Sequence, residues 1–278
     1  MYRTGENRKK FPYRVQAVER ALDILDCFTF ESKELGLFEI AEKTGLNKTT
    51  AKRMLANLSF RNYLQQDPKT MKYRLGMRLF EMGGIVSSSF SLLKTAGHHM
   101  EALQKASGAT VLLGMMMDEQ LVYIDKREGT GVIRISSEIG WRRPIHYGML
   151  GMVLCAYQEP PEVARMLKKY PLEAYTPHSI TSQEKFMDRL KEIRKQGYVR
   201  ETGEAVEGVV GIAAPLWDST CSVVAALGVA FPARETISAD GTADLAQRVK
   251  ETCATISAEI GYGSVEKRSQ KRVGAGEW

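Results

Sequence analysis

Between Leu37 and Gly76 the sequence changes its hydrophobic period twice, and few folds accommodate that order. Leu37 to Thr44 reads as a short helix with Ile40 and Ala41 turned inward. Gly45 ends it, supplying the positive φ of a tight turn. Asn47 is a good N-cap for a second helix running to about Phe60. Ala51, Met54, Leu55 and Leu58 form the apolar face of that helix. Lys48, Thr49, Lys52 and Arg53 occupy its outward, N-terminal end, with Thr50 close by. Two helices bent at a glycine, the second with a basic first turn, make the pattern of a helix-turn-helix whose second helix enters the major groove. Two strand-like runs follow, Tyr63 to Gln66 and Met71 to Gly76, on either side of Asp67-Pro68-Lys69-Thr70. This is a hairpin. Placed directly after the recognition helix it is a wing, with Lys69 and Lys72 available to the DNA backbone or the minor groove. Upstream, Val15, Val18, Leu22, Leu25 and Phe28 share one face of a leading helix, which Ser32-Lys33-Glu34 breaks.

The charge distribution agrees with this reading. The chain of 278 residues carries a net +6, and residues 1–75 alone hold 15 Lys/Arg against 9 Asp/Glu. The remaining residues carry 24 of each sign. A basic stripe confined to one module suits a phosphate surface, because neutralising phosphates releases counterions. The opposing reading is a solvated helix face. Side chains on base edges would set sequence, and the wing would set position.

Downstream, Met77 to Phe90 reads as a linking helix and 91–107 as another. Strand patterns appear at Ala109 to Met117, Gln120 to Lys126, Val132 to Ile135, Gly208 to Trp217 and Cys221 to Phe231. Helical patterns fill 149–158, 160–169, 182–196 and 241–260. Strands, a helical middle and strands again imply an α+β fold, one sheet with helices over it. The expected domains are an N-terminal arm over 1–13, a winged helix-turn-helix over 14–76, a linker helix over 77–90, a ligand domain over 91–262 and a polar, disordered tail over 263–278.

Several functional classes find little support. No run approaches the ~20 apolar residues of a membrane span, and the first residues lack the apolar core of a secretory leader, so a cytoplasmic protein is expected. Cys27, Cys155, Cys221 and Cys253 form no CxxC pair and read as reduced thiols. His98 and His99 are adjacent, and neighbours on a helix diverge, so no metal site is expected there. No cofactor is expected. An enzyme on the second domain would have to draw on Asp118, Glu119, Asp125 and Glu128, or on Cys155 or Cys221 with His146, yet GxSxG, P-loop and metal spacings are missing. A DNA-binding scaffold without a ligand is a third reading.

Longer stretches resemble the IclR family of bacterial transcription regulators: V-x-x-V-E-R-A-L-D-I-L-D (Val15 to Asp26), L-x-E-I-A-E-K-T-G-L-N-K-T-T-A-K-R-M-L (Leu37 to Leu55) and Y-R-L-G (Tyr73 to Gly76). R-x-P-I-H (Arg142 to His146), G-x-x-G-I-A-A-P-L-W-D (Gly208 to Asp218) and V-A-A-L-G-V-A-F-P (Val224 to Pro232) continue the likeness. The resemblance implies a GAF/PAS-like effector-binding domain with a central antiparallel sheet, and dimers or tetramers on a near-palindromic operator in double-stranded DNA. It also implies regulation by a small-molecule effector. Repression is the commoner sign in the family, and activation stays open. Carried over to this chain, the effector pocket falls on Gly148, Met149, Leu150, Gly211, Gly228 and Ala230. Gly228 and Ala230 are less polar than the family's usual residues, which points to a bulkier or more apolar ligand than glyoxylate or pyruvate. The turn before residue 149 adds His146, Tyr147 and Trp141 as stacking or contact residues. Its free helix N-terminus favours a carboxylate. The expected effector is thus a small organic metabolite, carboxylate-bearing or aromatic.

Overall fold

A computed structural model describes residues 13–89, 91–131, 137–233 and 239–263. The expected strand at Val132 to Ile135 lies outside them, as do most of the N-terminal arm and tail. The chain divides into two compact units, Met1–Phe90 and Ser91–Trp278.

The first unit contains α1 (Gln16–Leu25), α2 (Leu37–Thr44), α3 (Lys48–Phe60), β1 (Leu64–Gln66), β2 (Tyr73–Leu75) and α4 (Met77–Ser89). Gly45 adopts φ 68°. There Leu46 N–H donates to Ala41 O and Gly45 N–H to Glu42 O, which closes α2 with a Schellman cap. Asn47 Oδ1 then accepts the N–H of Thr50 at 2.8 Å and starts α3. The two strands pair antiparallel. Leu35 bridges to Tyr73 through two backbone hydrogen bonds, so a third chain segment edges the wing. Gly76 follows because a Cβ there would lie 2.1 Å from the carbonyl oxygen of Asn62. The core is small: Ile24, Phe28, Leu35, Ile40, Leu55, Leu64 and Tyr73.

One expectation changes in α1. Only the C-terminal end of its apolar stripe reaches this core, through Leu25 and Phe28, joined by Ile24; Val15, Val18 and Leu22 are 59%, 54% and 53% exposed. The period was read correctly, but a three-helix core needs only the C-terminal end of that helix.

The second unit contains α5 (Ser91–Ser107), β3 (Thr110–Met117), β4 (Gln120–Arg127), β5 (Arg142–Pro144), α6 (Gly148–Ala156), α7 (Pro160–Lys169), α8 (Gln183–Gln196), β6 (Val199–Thr202), β7 (Val209–Trp217), β8 (Val223–Pro232) and α9 (Ala239–Glu259). Its six strands form an antiparallel sheet in the order β5-β4-β3-β8-β7-β6. The short β5 and β6 carry no alternating apolar run long enough to be seen in the sequence. Ala213, Ala226 and Ala230 share a core with α6. The intervening Ile212, Leu227 and Val229 are fully buried as well, and α9 packs on the same strands. Helices therefore cover both faces, which is why β7 and β8 read as unbroken apolar runs. Asp118 (φ 52°) and Glu119 (φ 64°) form the two-residue turn between β3 and β4. No helix among the described residues is long and apolar enough to cross a membrane.

Candidate nucleic-acid interface and effector cleft

The first turn of α3 is unusual for a helix start. It contains no acidic residue, although anions are favoured there and a cation opposes the helix dipole by roughly 0.3–1 kcal/mol. Lys48 nonetheless occupies the first position, its Nζ lying 4.2 Å from the ring centroid of Phe38. Thr49, Lys52 and Arg53 are exposed and Thr50 is half-buried. On the other side Ala51 and Leu55 are fully buried, so the charged face is fixed outward by the core contact. In the wing, Asp67 Oδ1 accepts the N–H of both Lys69 and Thr70 at 2.8 Å. These backbone donors, that of Thr70 foremost, hold the carboxyl below its usual pKa. Lys69 and Lys72 stand exposed on the hairpin. Lys52, Arg53, Lys69 and Lys72 make no ion pair among the described residues. A basic surface without internal partners can neutralise phosphates without first breaking a protein contact.

The second site lies at the N-terminus of α6. His146 and Tyr147 occupy the turn from β5, and Gly148 begins the helix. Facing them are the segment 172–180, Phe186 of α8 and the turn after β6. Thr176 Oγ1 donates to Gly203 O at 2.6 Å, and Ser179 Oγ donates to Glu204 O at 2.7 Å, so the segment is tied down. Tyr147 OH donates to Ala205 O at 3.3 Å, and its ring meets Tyr175 edge-on with centroids 4.9 Å apart. The enclosed space is about 30 Å³, room for a water molecule or two.

An imidazole and a carboxyl of this unit are buried, His146 in the cleft lining and Glu201 on β6 outside it. His146 is 7% exposed, its Nε2 has no hydrogen-bond partner, and burial lowers its pKa. Burial thus favours the neutral imidazole, and one nitrogen is left unsatisfied. Such a group costs roughly 1–3 kcal/mol until it finds a partner. Glu201 is 5% exposed and its Oε2 accepts the N–H of Glu204 at 2.9 Å. Burial pushes its pKa up to about 7, against the pull of the backbone donors Glu204 and Ala205. Burial likewise raises Glu204, which Arg189 counters.

Comparison with known proteins matches the IclR helix-turn-helix domain over residues 17–68 and the C-terminal domain of the bacterial transcriptional regulator IclR over residues 85–258. This chain belongs to the IclR family of bacterial transcription regulators. The HTH-type transcriptional regulator XynR of Escherichia coli K12 is 34% identical over 248 residues, 89% of this chain and 98% of its own. A crystal structure of an IclR transcriptional regulator from Alicyclobacillus acidocaldarius aligns with a TM-score of 0.80 at 28% identity, covering 88% of this chain and 99% of that one. An IclR homolog from Microbacterium hydrocarbonoxydans, crystallised with 4-hydroxybenzoate, shares the fold at 23% identity and a TM-score of 0.77, over 88% of this chain and 98% of that one. The protein is thus a DNA-binding transcription regulator with an effector-binding C-terminal domain.

Within this IclR-family regulator the residues expected to form the pocket divide between the cleft and the surrounding core. His146, Tyr147 and Gly148 line the cleft; Met149, Leu150, Gly211, Gly228, Ala230 and Trp141 do not. The space beside Gly211 is already filled, since a Cβ there would sit 2.8 Å from Met149 Sδ. Gly228 serves close strand packing: its Cβ would meet Ile212 O at 2.5 Å. A large residue at 228 would therefore break the sheet rather than plug a pocket. Leu150 and Ala230 are core, and Trp141 packs at the edge of that core with Arg143 stacked 4.6 Å from its ring. Phe186, Glu201 and Glu204 escaped the sequence reading. In β6 the alternation Val199 buried, Arg200 exposed, Glu201 buried is the signal that would have found Glu201.

The residues considered for catalysis have structural positions. Glu119 bridges Arg165 and Lys169, the latter at 2.7 Å, and Lys169 together with Arg165 holds its pKa low. Asp125 pairs with Arg127 at 2.5 Å and Glu128 with Lys126 at 2.8 Å. Cys155 is fully buried, and burial alone pushes its thiol up to about 12, which removes the thiolate a nucleophile requires. Cys221 is exposed, in the β7–β8 turn with φ 61°.

Proposed function

We propose that this regulator is a cytoplasmic repressor, without catalytic activity or cofactor, that binds a near-palindromic operator as a homodimer or tetramer and changes its grip when a small organic molecule enters the α6 cleft. The exposed cationic N-terminal half of α3, whose Lys52 and Arg53 make no ion pair among the described residues, carries this reading. Lys48, Thr49, Thr50, Lys52 and Arg53 would meet the major groove, while Lys69 and Lys72 on the wing hold the backbone or the minor groove. Residues 14–76 form the DNA-binding module, 77–90 the linker helix and 91–262 the effector-binding domain. The exposed apolar faces of α1 (Val15, Val18, Leu22) and α4 (Met77 and Phe80, 67% and 75% exposed) support self-association through the first unit, since monomers rarely leave such faces to water.

The effector we favour is aromatic or carboxylate-bearing. Tyr147, Tyr175 and Phe186 offer ring surface, and the orphan Nε2 of His146 offers one directional hydrogen bond. The bound 4-hydroxybenzoate of the Microbacterium homolog is consistent with that chemistry. The test is a salt titration of operator binding with and without aromatic acids. Affinity should fall steeply with salt, and an effector should alter it while binding the operator complex with reciprocally changed affinity. Flat salt dependence, or ligand turnover without DNA binding, overturns the reading.

A further inference from the structure

We infer that the effector-binding unit carries a transition-metal site, formed by His98 and His99 of α5 with Glu259 at the end of α9. One ligand atom from each of these residues lies within 4.8 Å of the others. His99 Nε2 and Glu259 Oε1 are 3.0 Å apart. Two ligands held about 2.0–2.2 Å from a tetrahedral Zn²⁺ stand roughly 3.4 Å from each other, so this pair already has nearly the required separation. His98 must close by about 1 Å, and it is exposed and free to turn.

Adjacent residues diverge on a helix, and for that reason the sequence gave no ground for a site here. The rings nevertheless turn together, with centroids 3.9 Å apart and planes 39° apart. The third donor is 160 positions away from His99 and becomes visible only once α5 and α9 pack against each other.

The end of α9 supplies an independent reason for a cation. Its last turn contains no basic residue, while Glu259 adds a carboxylate at the negative pole of the helix. A dication held by Glu259 would compensate both. Two imidazoles and one carboxylate suit a borderline ion such as Zn²⁺ rather than Mg²⁺ or Ca²⁺, which prefer all-oxygen shells. The fourth position is left to water. Such an ion would staple the first helix of the unit to its last.

The experiment uses the full-length protein, stripped with chelator and then given ZnCl₂ alone. Isothermal titration should show one saturable site per chain, and the melting temperature of the second unit should rise with zinc because the ion binds only the folded form. MgCl₂ should do neither. His98→Gln, His99→Gln and Glu259→Gln should each weaken zinc binding by at least about tenfold. All three should keep the wild-type circular dichroism in chelator. Cys221→Ser, which removes the exposed thiol, should bind zinc as the wild type does. Zinc affinity unchanged in His99→Gln and Glu259→Gln, affinity lost in Cys221→Ser, or no saturable binding at all, would each overturn the proposal.

Discussion

In the first unit the basic side chains stand outside a core of seven apolar residues, and no carboxylate or imidazole is buried there among the described residues. In the second unit a carboxyl and an imidazole are themselves buried, Glu201 of β6 at 5% and His146 of the cleft at 7% exposure. The first arrangement separates stability from chemistry: the core holds α3, and α3 displays charge. The second merges them, because a buried carboxyl and an imidazole with one unsatisfied nitrogen subtract from the stability of the unit that carries the cleft. A surface that grips a polyanion needs net charge and exposure. A cleft for a small molecule needs groups kept away from water.

The largest predicted effect tests the separation in the first unit. Leu55 is fully buried in its small core, and Leu55→Ala should destabilise that unit by about 4 kcal/mol. Calorimetry should show the first unit melting early or already unfolded. The second transition and effector binding should stay in place. A common shift of both transitions would mean the units do not behave independently.

The next effect tests the merging. Folding raises the pKa of Glu201 to about 7 from the ordinary 4.5. The folded state therefore keeps a proton that the unfolded chain releases near pH 4.5. The sign follows: stability falls as pH rises from about 4.5 to 7 and loses nothing further above that. The loss approaches about 3 kcal/mol. Glu201→Gln should match the wild type at pH 4 and exceed it at pH 8, read from denaturant midpoints. Parallel stability profiles for the two proteins would remove Glu201 from the argument.

Third comes Arg53→Ala. Loss of one groove contact should weaken operator binding by roughly 10- to 100-fold, and loss of one phosphate contact should reduce the salt slope by about 1. Effector-induced stabilisation of the second unit should be unchanged. Gel shifts across a salt series and ligand melts report the two separately.

The same contrast explains what the sequence disclosed. Gly45, Asn47 and the basic turn of α3 are local signals, each recorded within a few residues, and the structure places them as their chemistry requires. The four long strands and their helical cover also followed from apolar runs; the strand order and the short β5 and β6 did not. The cleft did not, because its walls come from segments far apart: the turn at 145–148, the 172–180 segment, Phe186 and the end of β6. Small residues were a misleading guide. Gly211 and Gly228 look like space in a sequence, yet Met149 and the backbone of β7 fill that space in the fold. The exposed face of α1 shows a similar limit. Period identifies a helix face but not whether the chain's own core or a second copy covers it.

The smallest effect concerns Asn47, where stability and DNA contact meet in one side chain. Its Oδ1 accepts the N–H of Thr50 at 2.8 Å, and Asn47→Ala should cost about 1 kcal/mol through loss of that cap. The first turn of α3 would fray, so operator affinity should fall along with stability. Asn47→Asp separates the two causes. It preserves the cap acceptor and adds an anion that suits the helix N-terminus, so the unit should melt at or above the wild-type temperature. That same anion would stand beside Lys48 at the end of α3 proposed to face phosphate, and operator binding should weaken, most strongly at low salt where screening is least. An Asn47→Asp protein that binds operator as well as the wild type at low salt would show that this end of α3 points away from the DNA backbone, and the surface contrast between the two units would have to be redrawn.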